Sequence, residues 1–486
     1  MTRYRGFSLH KFMVLTIISI IMAATVLAPV DALAEKYPEN VKGKALYIGA
    51  LFDLSGGSRA SIEALCGAKA AVDWINSRGG VFVKGVRYYV QLVYYDITYS
   101  YGGTPRTLDY FATKLIDEGA SVILAPPESD SSIELLELFS PKGRLGEYSD
   151  KVLLMVYSYI NSSTIRRYVE DGVNVMMPVT PNEALVTEAF RVAEVLQSGA
   201  KVYVVVSSSS VWNASAPPSL LERAAKASGV DLTGSFRVAP ENVKSYITSL
   251  ISDIKEREPD ILIVVGERSF IVNLLKSIYG SISVKAVIVV SEGYDPSLYG
   301  ELTPIVAEGI IIVSDWLPLP VYTPERASAL KKEWWGPTLE VFQRYMEENC
   351  PALEPTSMAA RAAASILHIV KATIDSGSIE PQEIAENIVK HSHLTFYGPV
   401  NIERAVHTGG SPTYAQIREG KLETGNIQYP APNWYGEEEE QAGTPAAVIE
   451  GAEEEGGVPS ILAVAAAIIV VAVVLGAAAF ALRKRG

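Results

Sequence analysis

Short apolar runs alternate along the chain with segments whose apolar residues recur at helical spacing. In the first part, the strand-like runs are residues 45–51, 88–95, 122–125 and 152–157, and the helical patterns are residues 62–75 and 104–118. Glycine follows each helical pattern, as is common at helix ends. Buried strands separated by helices are typical of β-α-β units in a mostly parallel sheet.

The same alternation begins again further along the chain. Strand-like runs at residues 202–206, 261–265 and 286–290 are separated by helical patterns at 184–196, 220–227, 243–254 and 270–278. The pattern therefore predicts an α/β protein with two doubly wound parallel sheets. Ligands of such sheets bind beyond the carboxyl ends of the strands, so we expect the functional residues at those edges.

Apolar segments also lie near both ends of the chain. A basic start, an apolar stretch and the small-x-small sequence at residues 32–34 predict a signal peptide at 1–34; an uncleaved anchor is the alternative. Residues 461–482 carry no charge and are long enough to span a bilayer, and the basic tail at 483–486 follows them. A buried core helix is the other interpretation. We expect a single-pass protein of the cell membrane, with the globular region extracellular and the C-terminus cytoplasmic.

Composition excludes several classes of function. The net charge of −13 argues against a nucleic-acid partner, because phosphate contacts require clustered cations. Residues 435–460 are acidic and poor in large apolar residues, which predicts a disordered linker. The five histidines do not form a metal-binding pattern, and the chain lacks the common catalytic and nucleotide-binding motifs. We therefore expect a protein that is not an enzyme and has no catalytic residues, cofactor or metal.

Two covalent modifications are compatible with an exported chain. Cys66 and Cys350 are the only cysteines, so one disulfide is available, although their spacing does not require it. Asn161 and Asn213 each begin a glycosylation sequon. The sequons matter only in a host that glycosylates exported proteins.

Several segments together resemble a known family. Residues 48–56 and 67–80 contain a strand, a Ser-Gly turn and a helix that ends in Ile-Asn-x-x-Gly-Gly, and they resemble the opening of Leu/Ile/Val-binding proteins. Later segments fit the same family in order, at residues 95–96, 115–119, 122–126, 290–293 and 398–402. The resemblance is to substrate-binding proteins of branched-chain amino acid ABC transporters and covers about residues 44–430.

This resemblance implies a type 1 periplasmic binding fold. In that fold two lobes are joined by a three-strand hinge, and a small solute is trapped between them. The implied first lobe is residues 43–161 and 317–405, and the implied second lobe is residues 162–316 and 406–434. We therefore expect a substrate-binding protein that delivers an amino acid or a related polar solute to an ABC permease.

The resemblance also implies the ligand contacts. In the first lobe, hydroxyls and backbone N–H groups at strand-to-helix turns would hold a carboxylate, since helix N-termini attract anions. The matching residues of this sequence are Glu128, Ser129, Ser131, Tyr157, Ser158, Tyr159 and Asn161. In the second lobe, Glu292 matches the acidic partner of the ligand ammonium.

Other positions depart from the family or have a simpler interpretation. Glu267 stands where the family has a tyrosine, and Trp212 follows a strand at the edge where it would wall the cleft. Glu128 and Asp130 introduce negative charge where a carboxylate would bind, which requires a compensating cation such as Arg59 or Arg268. The simpler alternatives are that the serines only cap a helix and that Glu292 is an exposed turn residue.

Two other functions remain open. A ligand-binding sensor subunit would use the same fold but act on a separate membrane receptor. An adhesin or surface-layer component would have a cleft that binds no solute.

Overall fold

The computed structural model describes residues 44–435, apart from residues 99, 102–103, 106, 391, 409–411, 425–426 and 432. The predicted signal peptide (1–34), membrane anchor (461–482) and basic tail (483–486) lie outside the described residues, as does the acidic linker beyond residue 435. Within the described part, no helix combines the length and the apolar character that crossing a membrane requires.

The strands alternate with helices as the hydrophobic pattern predicts. The strands are β1 (Lys44–Phe52), β2 (Val81–Val83), β3 (Val86–Asp96), β4 (Ser100–Tyr101), β5 (Thr104–Pro105), β6 (Val122–Leu124), β7 (Leu153–Met155), β8 (Val175–Met176), β9 (Lys201–Ser207), β10 (Asp231–Val238), β11 (Ile261–Val265), β12 (Ala286–Val290), β13 (Ile311–Ser314), β14 (Glu333–Trp334), β15 (His393–Leu394), β16 (Ile402–Glu403), β17 (Val406–His407), β18 (Thr413–Arg418) and β19 (Lys421–Glu423).

The helices follow most of the longer strands. They are α1 (Arg59–Ser77), α2 (Leu108–Asp117), α3 (Ser129–Phe139), α4 (Ser162–Glu170), α5 (Asn182–Leu196), α6 (Ser210–Ser215), α7 (Pro218–Ser228), α8 (Val243–Arg257), α9 (Arg268–Ile278), α10 (Pro296–Glu301), α11 (Pro304–Ala307), α12 (Pro324–Ala329), α13 (Leu339–Asn349), α14 (Ser357–Ser376) and α15 (Pro381–Lys390).

The long strands form two mixed sheets. The first has the order β2-β3-β1-β6-β7-β8, and the second has the order β10-β9-β11-β12-β13-β18-β19. Both are parallel except at an edge, where β2 is antiparallel to β3 and where β18 is antiparallel to β13 and β19. The sequence analysis did not predict these antiparallel edges. Because β8 pairs with β7, the first sheet extends beyond residue 161, where the sequence analysis ended the first lobe.

Both faces of the second sheet are covered, as the continuous apolar strands indicate. In β9, Val202 and Val204 belong to one buried cluster, whereas Tyr203 and Val205 belong to another. Successive side chains of a strand point to opposite faces, so each cluster packs against its own face of the sheet.

Close helix packing covers the first sheet. A Cβ atom at Gly67 of α1 would lie 2.0 Å from the carbonyl oxygen of Ala359 in α14, so only glycine permits this approach. Cys66 forms a disulfide with Cys350, which follows α13, with the Cα atoms 6.0 Å apart. Helices α13 and α14, which follow β13 in sequence, therefore pack on α1, beside the first sheet.

The described chain passes between the two sheets three times. It leaves the first sheet after β8, returns after β13 to the helices around α1, and enters the second sheet again at β18. The first and third passages run side by side, because the Met177 N–H donates to the Ala405 carbonyl and the His407 N–H donates to the Met177 carbonyl.

Candidate functional site

In the first sheet, the strand order reverses between β1 and β6. Crevices outside such reversal points are the usual ligand sites of open α/β sheets. Glu128 precedes α3, which follows β6, but its side chain does not cap that helix. Its Oε1 atom instead accepts hydrogen bonds from the hydroxyl of Ser58, the N-cap of α1, and from the hydroxyl of Ser61 at 2.9 Å. The Glu128 Oε2 atom is buried and has no hydrogen-bond partner among the described residues.

Asp96, at the end of β3, holds the loop between β1 and α1. Its carboxylate accepts hydrogen bonds from the backbone N–H groups of Leu54 and Ser55 at 3.0 and 2.9 Å. Burial alone would raise the pKa of Asp96, but hydrogen bonds from Ser55, Thr98 and Leu54 outweigh burial and lower it. The ionised carboxylate thus fixes the turn that leads to Ser58.

The turn after β7 contributes buried side chains to the same edge. The Ser129 hydroxyl donates to the Tyr159 carbonyl at 3.0 Å, and the Ser158 hydroxyl donates to Ser132 Oγ at 3.0 Å. Tyr157 is fully buried, and its hydroxyl has no hydrogen-bond partner among the described residues. Burial, with a smaller contribution from Glu128, raises the pKa of Tyr157 well above its ordinary value.

The second sheet reverses its order between β9 and β11 and repeats the arrangement of the first. Glu267 precedes α9, which follows β11, and it too leaves its own helix uncapped. Its two carboxylate oxygens accept hydrogen bonds from the hydroxyl of Ser207 at 3.0 Å and from that of Ser209 at 3.2 Å. Each sheet therefore has, at its reversal point, a glutamate held by two serine hydroxyls.

Glu292 follows β12, next to the second reversal point. The residue is accessible to water, yet the protein around its carboxylate raises its pKa to about 7. The carboxylates of Glu267 and Glu128 raise this pKa further, while Arg361 opposes them. A water-accessible carboxylate that responds to charges from both sheets is the arrangement expected in a cleft between them.

Three of the predicted site residues have surroundings different from those expected. Trp212 lies in α6, is 1% exposed, and its Nε1 atom has no hydrogen-bond partner among the described residues. The Asn161 side chain caps α4 by accepting from the Thr164 N–H at 2.8 Å. Ser131 is partly buried in the first turn of α3. Asn161 is thus a buried helix cap, whereas the Asn213 sequon residue is exposed.

The arginines proposed to compensate Glu128 are paired elsewhere. Arg59 bonds to Glu63 at 2.6 Å and reaches Asp295 at 3.2 Å. Arg268 lies 3.2 Å from the same Asp295 and also pairs with Glu301. The Arg59–Asp295 pair joins α1, beside the first sheet, to the loop after β12 of the second sheet.

Two cavities lie near this region. One of about 150 Å³ is lined by residues from beside both sheets, among them Arg59, Glu63, Glu292 and Met358. A larger cavity of about 580 Å³ is lined mainly by second-sheet residues such as Leu302 and Ile417, and none of the predicted site residues lines it.

The sequence analysis missed Arg361 and Asp315. Arg361 lies in α14, is fully buried, and donates from Nε to Asp315 Oδ2 at 2.5 Å. Its guanidinium carbon lies 3.5 Å from the centre of the Tyr159 ring, and the Tyr397 hydroxyl donates to Asp315 at 2.6 Å. The available signal was an arginine within a run of alanines in α14, because a buried charge requires a partner. Over the described residues, no group of three or more acidic, histidine or cysteine side chains is arranged to hold a metal ion.

The structure has two sheets with polar side chains at the carboxyl ends of their strands, and comparison with known proteins identifies the family. The family of periplasmic binding proteins matches residues 45–420, and the chain belongs to it. This membership confirms the resemblance found in the sequence and the α/β periplasmic binding fold.

Solved structures with the same fold share little sequence. A substrate-binding protein from Desulfitobacterium hafniense in complex with Leu is 17% identical, with a TM-score of 0.58 over 78% of this chain and 99% of that chain. LivJ from Streptococcus pneumoniae in complex with isoleucine is 18% identical, with a TM-score of 0.57 over 80% and 100%. A solute-binding protein from Rhodopseudomonas palustris in complex with p-hydroxybenzoic acid is 15% identical, with a TM-score of 0.58 over 80% and 99%.

The family decides two of the predictions. Its members bind solutes for transport and are not enzymes, which confirms that no catalytic role should be assigned. The predicted single-pass location in the cell membrane is wrong, because the family to which the chain belongs is that of periplasmic binding proteins.

Proposed function

We propose that this protein is the solute-binding component of an ABC importer of the branched-chain amino acid type. It traps a small polar solute between one lobe built on each sheet and delivers that solute to a permease. The observation that carries the proposal is the position of Glu128, Glu267 and Glu292 at the carboxyl ends of the strands in the two sheets. Glu267 and Glu128, one from each sheet, both raise the pKa of Glu292, which supports one cleft for the three carboxylates.

The proposed ligand site draws on both lobes. Glu128, Ser129, Ser131 and the turn from Tyr157 to Asn161 form the first wall, and Trp212, Glu267 and Glu292 form the second. The relatives solved with Leu, isoleucine and p-hydroxybenzoic acid support a small organic solute. Their identity to this chain is too low to transfer any one of these ligands.

Binding follows from closure of the two lobes about the three passages between them. A solute that contacts both walls stabilises the closed arrangement and shifts the population toward it. The Arg59–Asp295 ion pair at 3.2 Å joins the two lobes in this structure, and we expect it to break when the lobes open. The permease then recognises the closed shape.

A thermal-shift screen of the full chain tests solute binding. The panel contains neutral, acidic and basic amino acids, amines, amides and small carboxylates. A solute present at about 100 times its dissociation constant adds about 2.7 kcal/mol to the free energy of unfolding, which raises the melting temperature. Absence of a saturable shift with every solute would contradict the proposal.

The role of Glu292 has its own test. We expect Glu292→Gln to weaken binding of an ammonium-bearing solute by about 2–4 kcal/mol, because the ammonium loses the charge partner from which the bound, closed form excludes water. Glu256→Gln, which makes the same change on the exposed surface of α8, is the matched control. Wild-type affinity in the Glu292 variant, measured by calorimetry, removes this residue from the site.

Delivery to a permease requires a cellular experiment. Deletion of the gene should abolish uptake of the solute found in the screen, and the wild-type gene should restore it. A variant that folds but does not bind the solute should fail to restore uptake. Undiminished uptake in the deletion strain argues against an importer role even if binding is real.

A further inference from the structure

The reversal points of both sheets are occupied by carboxylates of the protein itself. Ser58 and Ser61, at the N-terminus of α1, both donate to Glu128. A helix N-terminus with two hydroxyl donors is a site for an anion, and an α-amino acid would place its carboxylate on such donors. Glu128 accepts from both donors, so a carboxylate of the protein already occupies the anion site in the first wall of the cleft.

The second wall has the same character. Glu267 is held by Ser207 and Ser209, and Glu292 follows the neighbouring strand. Glu267 and Glu128 both raise the pKa of Glu292, so the three carboxylates lie within electrostatic range of one another. Like charges placed together make the addition of another anion unfavourable. A cleft lined by one sign of charge concentrates counter-ions of the opposite sign.

The arginines near the cleft leave this negative charge in place. Arg59 pairs with Glu63 and Asp295, and Arg268 pairs with Asp295 and Glu301. Arg361, which lowers the pKa of Glu292 against the effect of Glu267 and Glu128, is itself paired with Asp315. Each of these arginines therefore forms an ion pair with at least one carboxylate other than Glu128, Glu267 and Glu292.

Two buried atoms with no partner lie at the first wall and point to a ligand. The hydroxyl of Tyr157, a residue with 0% exposure, and the Oε2 atom of Glu128 have no hydrogen-bond partner among the described residues. Glu128 raises the pKa of Tyr157, so the two side chains are close enough to interact. Both atoms accept hydrogen bonds, and an ammonium group donates three.

We propose that the solute is a small organic cation, an amine or guanidine of net positive charge, whose cationic group is received by Glu128, Glu267 and Glu292. This inference rests on the proposed solute-binding function and names its substrate class. The Tyr157 hydroxyl accepts one hydrogen bond from the cationic group. An α-amino acid without net charge lacks donors for its carboxylate at the α1 N-terminus and binds less tightly.

Titration calorimetry of the full chain with matched solutes tests the substrate class. Putrescine and agmatine carry cations without a carboxylate, lysine carries both groups, leucine has no net charge, and glutamate is an anion. We expect putrescine or agmatine to bind at least ten-fold more tightly than leucine or glutamate. Their affinity should fall as sodium chloride is added, because salt screens the carboxylates.

Charge-neutral variants connect the binding to the proposed residues. Glu128→Gln and Glu267→Gln keep an oxygen that can accept from the serine hydroxyls but remove the charge. Each should weaken binding of the cation at least ten-fold. Glu134→Gln, an exposed residue of the same helix α3, should change the affinity less than two-fold.

The outcomes separate this inference from the proposed function. If leucine, glutamate or another solute without net positive charge binds as tightly as the best cation, the inference is overturned and the solute-binding function stands. Cation affinity that is unchanged in both the Glu128 and Glu267 variants also overturns it. If no solute of any charge binds, the proposed function fails and the inference fails with it.

Discussion

Arg361 and Asp315 form an ion pair with no solvent exposure where the chain passes between its two sheets. Besides Asp315, Arg361 donates to the carbonyl oxygens of Tyr157 at 2.9 Å, Ser158 at 3.0 Å and Thr180 at 2.6 Å. Thr180 lies in the first passage between the sheets, and Asp315 lies in the second. The Arg361 guanidinium therefore links the turn after β7, which belongs to the candidate site, to two of the three chain passages between the sheets.

Removal of Arg361 should destabilise the whole fold. Arg361→Met leaves the Asp315 carboxylate buried without its cation, which typically costs about 3–5 kcal/mol. Denaturation by urea measures the loss in the free energy of unfolding. Arg344→Met, which changes an exposed arginine of α13, is the control and should stay within about 0.5 kcal/mol of wild type. A loss at Arg361 no larger than at Arg344 would contradict the assignment of this pair as a central support.

The Cys66–Cys350 disulfide connects α1 to the end of α13 across 284 residues of sequence. Such a link restricts the unfolded chain, so its removal should lower the free energy of unfolding by about 2–5 kcal/mol. Chemical denaturation with and without dithiothreitol measures the change. The Cys66→Ser, Cys350→Ser double variant should show the same loss and no response to dithiothreitol. A response of the double variant would show that the reductant acts elsewhere.

Glu292 should make stability depend on pH in a defined window. Its pKa is about 7 in the folded protein, against an ordinary value of 4.5. Between these values the folded state binds a proton that the unfolded state does not, so stability falls as pH rises from about 4.5 to 7 and is constant above that range. Melting temperatures of wild type and Glu292→Gln across pH 4–8 measure this part of the profile.

The quantity to compare is the difference between the melting temperatures of Glu292→Gln and wild type at each pH. It should grow through the window and become constant above it, with Glu292→Gln the more stable at high pH. Desolvation of the carboxylate by the surrounding protein raises this pKa most, Glu267 and Glu128 raise it further, and Arg361 lowers it. A difference that does not change with pH shows that Glu292 keeps an ordinary pKa.

The hydrophobic pattern predicted most of the sheet strands and the helices beside them. The predicted strand at residues 261–265 matches β11, and the predicted helix at 62–75 lies within α1, because both are apolar segments with clear polar or glycine boundaries. Strand β8 was missed because two paired residues leave no periodic signal. Its pairing with β7 is decided by tertiary packing rather than by local sequence.

The candidate site was only partly predictable. Glu128, Glu267 and Glu292 were identified because the family resemblance matches them to ligand-contact positions, and each follows a strand at the expected edge. That Ser58 would donate to Glu128 depends on two turns 70 residues apart meeting at the reversal of strand order. The Arg361–Asp315 pair likewise joins distant passages of the chain, and no spacing in the sequence encodes it.

Gly293 should be essential for the contact between the loop after β12 and the first-sheet side of the cleft. It adopts a φ of +78°, and a Cβ atom there would lie 1.9 Å from the Tyr159 hydroxyl oxygen and 2.4 Å from Ser357 Cβ. The same loop is held by the Tyr294 N–H, which donates to Ser357 Oγ at 2.7 Å. Gly293→Ala therefore forces the loop that carries Glu292 away from Tyr159.

We expect Gly293→Ala to lower the free energy of unfolding by about 1–3 kcal/mol from overpacking, in addition to the backbone cost of a positive φ. It should also weaken solute binding at least ten-fold, because Glu292 moves with the loop. Gly280→Ala separates the two effects, since Gly280 has a φ of +70° but no atom within 4 Å of the added Cβ. That control should lose stability through its backbone alone and keep wild-type affinity. Calorimetry on both variants decides the matter: equal affinities would show that the close contact at Gly293 does not position Glu292.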